Sequence, residues 1–451
     1  MRLSIFFLLA FFNVYSQTTC VEAGADFSYT NSVLAHGGVY RNTTGQVVDP
    51  YAYFAQRGCT LARFRLFHTP QNRMDVCGNP ITAGSLADVT LGLQRAKAAG
   101  MKLLVSLHYG DYFNDPGRQK RPAAWMGLSQ TVLLDSIRNY TLKVLNHFKT
   151  NNVIPETVVV GNETTWGFID ETDATNGWQF PADGQKFNAA LYAIDDFNST
   201  NQVHVKKMVH FTDSTAIWML SQFQTVGMVA NYDAIGISFY PSISPLANWA
   251  DFDSMIQQLQ SNVTADIYIL ETGAPWTTAY ADNYNNGSSS MGNFSYPISP
   301  QGQKQYLLDL IQHSQNKGVK AVVYWEPTWI SSSLCDAWGQ GSSYENASFF
   351  NFQQNNQALP AFDWFTYCTS LAQSDFEPVE GIRIFPNPTA NIVHVKGLKE
   401  ANKMKLYSLL GQEISSVILG ETIDVSGLPE GCYFLSIEQD GKWQTFRVFK
   451  K

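Results

Sequence analysis

The stretch from residue 61 to residue 108 decides the predicted fold. It begins Leu61-Ala62-Arg63-Phe64-Arg65-Leu66-Phe67 and ends Lys102-Leu103-Leu104-Val105-Ser106-Leu107-His108. Both pieces are short β-rich runs, and residues 86–99 between them have the apolar spacing of an amphipathic helix. The stretch therefore predicts a strand, a helix and a second strand, in that order.

The same alternation extends in both directions, from about residue 21 to residue 368. Further helical stretches are predicted at 131–149, 185–197 and 301–316. Eight strands are predicted, at 24–28, 61–67, 102–108, 157–162, 205–211, 234–239, 267–271 and 319–325. This rhythm is typical of an α/β protein with a (β/α)8 TIM barrel, here residues 17–370. The alternative, a doubly wound open sheet, would need a Gly-rich phosphate loop after the first strand, and none is present.

The two ends of the chain differ from the barrel region. Residues 1–16 combine a short charged start with an apolar run over 5–12, which predicts a signal peptide and export without a membrane span. Residues 371–381 are polar and predict a linker. Short alternating strands at 384–385, 392–395, 404–407, 432–437 and 444–448, separated by turn signals, predict a small β-sandwich over 382–451.

Three motifs in this tail carry a resemblance. They are Phe385-Pro386-Asn387-Pro388, the stretch Leu406-Tyr407-Ser408-Leu409-Leu410-Gly411-Gln412, and Leu428-Pro429-Glu430-Gly431-Cys432-Tyr433. Together they resemble the C-terminal sorting domain of the bacterial type IX secretion system. The resemblance implies a Bacteroidota-type source, a secretion machinery as partner, a secreted or cell-surface location and removal of the tail. A carbohydrate-binding β-sandwich is the alternative.

Composition limits the class of ligand. The formal net charge is −8 and no cluster of Lys and Arg is present, which argues against a nucleic-acid or membrane-surface partner. A neutral polymer fits this balance better than a polyanion. Aromatic residues make up 14% of the chain, with 11 Trp and 21 Tyr, as in a large core or in a sugar-binding cleft.

Two carboxylates follow apolar strands. Strand four ends Val160-Gly161-Asn162-Glu163, and strand seven ends Ile269-Leu270-Glu271-Thr272-Gly273. These strands face each other across a barrel rim, so the two groups can flank one glycosidic bond, and a separation of about 5–5.5 Å gives retention. We predict Glu163 as acid/base and Glu271 as nucleophile, and we expect Arg65 to keep Glu271 ionised. Tyr240 is expected to donate a hydrogen bond to Glu271, and Asn162 to bind the sugar 2-hydroxyl.

The barrel as a whole resembles glycoside hydrolase family 53, the endo-β-1,4-galactanases. The motifs are residues 24–28, Arg63-Phe64-Arg65-Leu66, residues 108–125, Val160-Gly161-Asn162-Glu163, Ser238-Phe239-Tyr240-Pro241, residues 271–276 and Tyr324-Trp325-Glu326-Pro327-Thr328-Trp329. The resemblance implies the same catalytic pair, hydrolysis of neutral β-1,4-galactan side chains of pectin, and no required cofactor. It also implies a cleft lined by Asp26, Arg65, His108, Asp111, Trp125, Asn162, His210, Tyr240, Trp276 and Trp325.

Local departures and open alternatives accompany this resemblance. Gly110 and Phe113 replace the usual Ser and Trp of the family, and residues 282–288 are Asn-rich and short of carboxylates, which argues against calcium. No metal site is predicted. Another neutral β-glycan such as mannan, or a non-catalytic galactan-binding protein, remains an alternative.

Several individual residues also have two interpretations. Trp325 is expected as a platform under the sugar, and Glu326 as an ion-pair partner or a sugar-hydroxyl contact. Asp111 and Asp115 are either loop caps or sugar ligands. Of the six cysteines, Cys59–Cys77 and Cys335–Cys368 are possible disulfides, and free thiols are the alternative.

Overall fold

A computed structural model describes residues 20–172, 177–367, 382–398, 404–408, 412–414, 418–439 and 442–451. The chain divides into two compact units between Thr366 and Tyr367. The predicted signal peptide, the predicted linker and Cys368 lie outside the described residues.

The first unit contains a closed barrel of eight parallel strands, in which the last strand pairs with the first. All eight predicted strands overlap observed ones, so the predicted TIM barrel is confirmed. The strands are β1 (Glu22–Asp26), β2 (Leu61–Leu66), β3 (Lys102–Leu107), β4 (Thr157–Val160), β5 (Lys206–Thr212), β6 (Ala234–Ser238), β7 (Asp266–Glu271) and β8 (Ala321–Tyr324).

Helices follow the strands and cover the barrel. Those of the barrel unit are α1 (Thr30–Ala35), α2 (Pro50–Gln56), α3 (Leu86–Ala98), α4 (Gln130–Thr150), α5 (Ala182–Asn201), α6 (Ala216–Gln222), α7 (Trp249–Asn262) and α8 (Pro300–Asn316). Local capping explains where several begin. The hydroxyl of Ser85 accepts the backbone N–H of Asp88 at the start of α3, and Ser299 accepts that of Gly302 at the start of α8. Shorter helical turns lie at Pro70–Asn72, Ala123–Trp125, Phe223–Gly227, Phe352–Gln354 and Pro360–Thr366.

The barrel interior changes from apolar to polar along its axis. Leu61, Leu104, Val159, Met208 and Tyr268 belong to one buried apolar cluster inside the barrel. Because side chains on a strand alternate between two faces, Arg63 and Arg65 lie on the same side of β2 as Leu61. Both arginines are buried. The alternation therefore places two guanidinium groups inside the barrel, toward the carboxyl ends of the strands.

A disulfide links two loops at these carboxyl ends. Cys77, after β2, is bonded to Cys335, after β8, across a sequence separation of 258 residues. The predicted Cys59–Cys77 and Cys335–Cys368 pairings are therefore wrong. Cys59 and Cys432 are free thiols, and Cys20 is disulfide-bonded. Proximity in sequence misled the prediction, because the barrel brings together loops that are far apart in the chain.

Four short strands form a small sheet beside the barrel. They are Tyr40–Arg41, Val47–Val48, Phe350–Asn351 and Gln357–Ala358. They pair segments that follow β1 with segments that follow β8.

The second unit is a β-sandwich, as predicted. It consists of β9 (Arg383–Phe385), β10 (Ile392–Lys396), β11 (Met404–Tyr407), β12 (Glu413–Ile414), β13 (Ile418–Leu419), β14 (Thr422–Asp424), β15 (Gly431–Gln439) and β16 (Lys442–Lys450). One sheet has the order β9-β10-β14-β13 and the other β12-β11-β15-β16. Val393, Val395, Leu406, Ile423 and Leu435 are among the residues of its apolar core. Among the described residues of both units, no helix is long and apolar enough to cross a membrane.

Candidate active site

The carboxyl ends of the barrel strands surround a cleft with a volume of about 410 Å³. Glu163, just after β4, and Glu271, the last residue of β7, both line it. Glu163 has a φ of 45°, in the left-handed region that non-glycine residues rarely adopt. Its backbone N–H donates to Nδ1 of His210 at 3.2 Å. Backbone strain of this kind persists only where the surroundings enforce it and is concentrated at functional sites.

Glu271 is held by a cation and a hydroxyl group. Arg63 Nη2 lies 2.6 Å from its Oε1, and the Tyr240 hydroxyl donates to its Oε2 at 2.9 Å. Burial, together with the charge of Glu271, raises the pKa of Tyr240 well above its usual range, so Tyr240 remains a donor. An adjacent cation and a donated hydrogen bond both favour an ionised carboxylate. The hydrogen bond expected from Tyr240 is present.

The cation at Glu271 is Arg63, and the prediction of Arg65 for this role was wrong. Arg63 is fully buried and contacts Asp26 Oδ2 at 2.8 Å, Asn162 Oδ1 at 2.9 Å and Ser106 Oγ at 3.1 Å. These contacts fix the guanidinium plane from three sides. Asp26 thus acts from beneath the cleft, by holding the arginine that holds Glu271.

Arg65 lies two residues further along β2 than Arg63, nearer to the cleft, and it pairs with a different carboxylate. It pairs with Glu326 and lies 3.4 Å from Asp26 Oδ1. Glu326 is fully buried, so it is an ion-pair partner and does not contact a sugar. The Arg65 guanidinium lies 4.8 Å from the ring centre of Phe113 and 5.4 Å from that of Trp325. Arg65 therefore supports the aromatic wall of the cleft.

The surroundings of Glu163 favour its protonated form. Desolvation, and next the charge of Glu271, raise the pKa of Glu163 to about 8. A hydrogen bond with the Ser238 side chain and the charge of Arg63 oppose this rise. Glu163 is therefore protonated at neutral pH, as a general acid must be.

We predict that kcat/KM falls at high pH with an apparent pKa near 8, because loss of the Glu163 proton removes the general acid. The Ser238→Ala variant should move this basic limb to higher pH, since the Ser238 hydrogen bond stabilises the ionised form. The measurement is a kcat/KM profile from pH 4 to 10. A basic limb below about pH 6, or no shift in the variant, would contradict the assignment of Glu163.

The two predicted site histidines lie behind the cleft wall. Burial, and secondarily Arg65 at His108 and Arg63 at His210, lowers the pKa of both well below the usual value, so both are neutral. His210 Nδ1 lies 3.2 Å from the Glu163 backbone nitrogen and 3.1 Å from Asn162 Oδ1, and its Nε2 lies 2.9 Å from Ser238 Oγ. His108 Nδ1 accepts the N–H of Asn114 at 3.1 Å. Both histidines fix the backbone that carries site residues.

Six of the predicted residues line the cleft: Arg65, Asn162, Glu163, Tyr240, Glu271 and Trp325. The other six do not: Asp26, His108 and His210 lie behind the cleft wall, and Asp111, Trp125 and Trp276 lie elsewhere. The Asp111 carboxylate accepts hydrogen bonds from Asn72 Nδ2 and from the backbone of Thr69 and Ala123, so it caps loops beside a neighbouring cavity. Trp125 packs against His68 with a ring-centre distance of 4.9 Å, and Trp276 donates to the carbonyl of Glu345. Both indoles are buried.

Sequence reasoning missed part of the cleft wall. Asp115 lines the cleft and also caps its own loop through the N–H of Gly117. The unpredicted lining residues come mostly from the loops after β3, β6, β7 and β8: Phe113, Asn114, Pro116, Arg118, Thr212, Ser242, Ile243, Gly287, Ser288, Trp329, Trp338, Ser343 and Tyr344. The aromatic members after β8 were the strongest available signal, because Trp329 ends a motif that the sequence had already singled out.

Within the described residues, no group of three or more His, Cys, Asp or Glu side chains could hold a metal ion. Both carboxylate oxygens of Asp282, in the loop considered for calcium, accept backbone N–H groups, from Tyr284 and Ser342.

Two carboxyl groups in one aromatic-lined cleft on a (β/α)8 barrel, Glu163 with a raised pKa and Glu271 bound to Arg63 and Tyr240, define the site of a glycoside hydrolase. The family model described as glycosyl hydrolase family 53 matches residues 22–365, and the chain belongs to this family. The model described as secretion system C-terminal sorting domain matches residues 383–451. This second domain indicates export by type IX secretion to the cell surface or the extracellular space.

Relatives are found over the barrel. The chain is 33% identical over 365 residues to an arabinogalactan endo-beta-1,4-galactanase of Cellvibrio japonicus, covering 78% of this chain and 92% of the relative. It is 29% identical to an endo-beta-1,4-galactanase of Bacillus subtilis, covering 77% and 86%. The solved GH53 catalytic domain of Ignisphaera aggregans has a TM-score of 0.69 at 27% identity, covering 78% of this chain and 97% of that one.

Proposed function

We propose that this protein hydrolyses β-1,4-galactan in endo mode, with retention of configuration, through Glu163 and Glu271. The observation that carries the proposal is the contrast between the two carboxyl groups, one with a raised pKa and one bound to Arg63 and Tyr240. The activity printed for the Cellvibrio and Bacillus relatives supports galactan as the polymer.

In the first step, Glu163 donates its proton to the glycosidic oxygen while a carboxylate oxygen of Glu271 attacks the anomeric carbon. The carbon–oxygen bond to the leaving sugar breaks and a glycosyl ester on Glu271 forms. In the second step, the Glu163 carboxylate takes a proton from water, which attacks the same carbon and releases Glu271. The Arg63 and Tyr240 contacts stabilise the carboxylate that is regenerated.

The cleft wall fits a neutral sugar chain. Trp325 lies in the cleft wall with Glu163 and Glu271. This position supports the role that we propose for it, a platform under the reacting sugar. Asn162 Oδ1 is engaged by Arg63, and its Nδ2 donates to the carbonyl of Asn114 at 3.0 Å. The second proton on that Nδ2 remains for a sugar hydroxyl, which is the role we propose for Asn162.

We also propose how the chain is processed. Residues 1–16 are removed as a signal peptide, 17–370 form the catalytic domain, 371–381 the linker, and 382–451 the sorting domain that the secretion machinery binds. Mass spectrometry of the secreted protein tests these boundaries directly.

The test of the proposed activity is reducing-sugar release from linear β-1,4-galactan, with mannan, xylan, cellulose and polygalacturonate in parallel. We expect release from galactan alone. Release from another polymer would keep the mechanism and overturn the substrate. A folded protein that binds galactan without cleaving any polymer would identify it as a binding protein.

A further inference from the structure

Three tryptophans of the barrel unit, Trp166, Trp218 and Trp338, are exposed and follow barrel strands in the chain. Trp338 lines the cleft and is 49% exposed. Trp166 and Trp218 are 46% and 42% exposed and lie outside the cleft that holds the catalytic pair. Their ring centres are 5.6 Å apart with an angle of 38° between the planes. Two adjacent indoles left this open form a patch that folding alone does not explain.

The patch of Trp166 and Trp218 lies close in sequence to residues that contact the cleft lining. Thr212 lines the cleft, and its hydroxyl lies 3.3 Å from that of Thr165 and 2.9 Å from that of Thr215. Trp166 directly follows Thr165, and Trp218 lies in α6, which begins directly after Thr215. The contacts among these three hydroxyl groups therefore join the cleft lining to the two chain segments that carry the indoles.

The order of the strands in the barrel indicates whether the patch lies on the leaving-group side of the catalytic pair. β4 and β5, which carry the loops of Trp166 and Trp218, lie across the barrel from β8. The loop after β8 holds Trp325, Trp329 and Trp338. Aromatic surfaces thus lie on both sides of the carboxyl pair. The patch lies on the side of Glu163, the group that protonates the leaving oxygen.

We propose that Trp166 and Trp218 form a distal binding platform for the leaving-group half of a long β-1,4-galactan chain. This inference rests on the proposed function. Indole rings stack on the C–H faces of neutral sugars, and the two rings together offer a surface for consecutive residues of one chain. The platform holds the polymer in register across the cleft. It contributes no binding free energy for a substrate that is too short to reach it.

The experiment compares a long galactan with a short β-1,4-galacto-oligosaccharide that fills only the cleft. The measured quantity is the ratio of kcat/KM for the polymer to kcat/KM for the oligosaccharide. We expect Trp166→Ala or Trp218→Ala to lower this ratio about 3-fold and the double variant about 10-fold. Trp218→Phe should retain most of the ratio, because a flat ring remains.

Tyr192→Ala is the matched control. Tyr192 is 54% exposed on α5, away from the patch, and its loss should leave the ratio unchanged. Thermal melting of each variant identifies any that fails to fold, and the remaining single alanine variant then serves as the readout. Retardation of the Glu271→Gln protein in native gels containing galactan gives a second measure that needs no turnover.

The outcomes separate the platform from the proposed function. If the wild type cleaves another β-glycan, the galactan assignment fails and the same ratio is measured on that polymer. An unchanged ratio and unchanged gel retardation in the double variant would overturn the platform. Loss of self-association in Trp218→Ala, with an unchanged ratio, would assign the patch to a second copy of the chain and also overturn it.

Discussion

Replacing Glu271 by alanine is expected to lower kcat/KM on the order of 10⁵-fold, because the covalent step has no substitute nucleophile. Replacing Glu163 by alanine should cost about 10²–10⁴-fold on the polymer. The smaller loss arises because Glu163 only assists departure of the leaving group. With an aryl β-galactoside whose leaving group needs no proton, bond cleavage in Glu163→Ala should approach the wild-type rate. Steady-state and burst kinetics on both substrates measure these differences.

Azide, used as an external nucleophile, distinguishes the nucleophile from the acid/base by the anomer of the product and without a comparison of rates. In Glu271→Ala it should attack the anomeric carbon directly and give the α-galactosyl azide. In Glu163→Ala it should attack the glycosyl ester on Glu271 and give the β-galactosyl azide. The same anomer from both variants would contradict the assigned roles, and a proton NMR coupling constant distinguishes the anomers.

Replacing Arg63 by methionine is expected to destabilise the barrel by about 3–5 kcal/mol, since two buried carboxylates lose their common cation. Activity should fall about 10²–10³-fold in the fraction that folds, because Glu271 loses one of its two contacts. Denaturant unfolding followed by tryptophan fluorescence measures the first effect, and kcat/KM at native conditions the second.

The control for Arg63 is a surface pair of similar distance. Arg138 and Asp196 are 2.6 Å apart, with side chains 45% and 49% exposed. Arg138→Met should cost at most about 1 kcal/mol and leave activity unchanged. If Arg63→Met and Arg138→Met lowered the free energy of unfolding equally, burial of the Arg63 ion pairs would not add to their contribution to stability.

The sequence was sufficient for the fold and for the choice of Glu163 and Glu271, which line one cleft, because both follow from local patterns. The spacing of apolar residues differs between strands and helices, and it identifies the eight strand–helix repeats. A carboxylate directly after an apolar strand is recognisable from residue type alone. The choice between Arg63 and Arg65 does not follow from such patterns. Both point inward, and the stagger of neighbouring strands decides which guanidinium reaches Glu271 and which reaches Glu326.

Loop residues were harder to place than strand residues. Trp325 directly follows its strand, whereas Trp125 and Trp276 lie further along their loops. Their indoles turn into the protein and meet His68 and a backbone carbonyl. Periodicity ends where a strand ends, so no spacing rule tells a buried loop indole from an exposed one. The exposed pair Trp166 and Trp218 was not singled out by sequence for the same reason.

The Cys77–Cys335 bond has a consequence for the resistance of the exported protein to proteolysis. The disulfide closes a covalent loop of the chain that runs from the loop after β2 to the loop after β8 and contains most of the barrel. A single cut in any loop between them leaves both fragments tied together, so a nicked molecule can keep its strands closed and its cleft intact. Reducing conditions would release the fragments, whereas the oxidised extracellular medium keeps them joined.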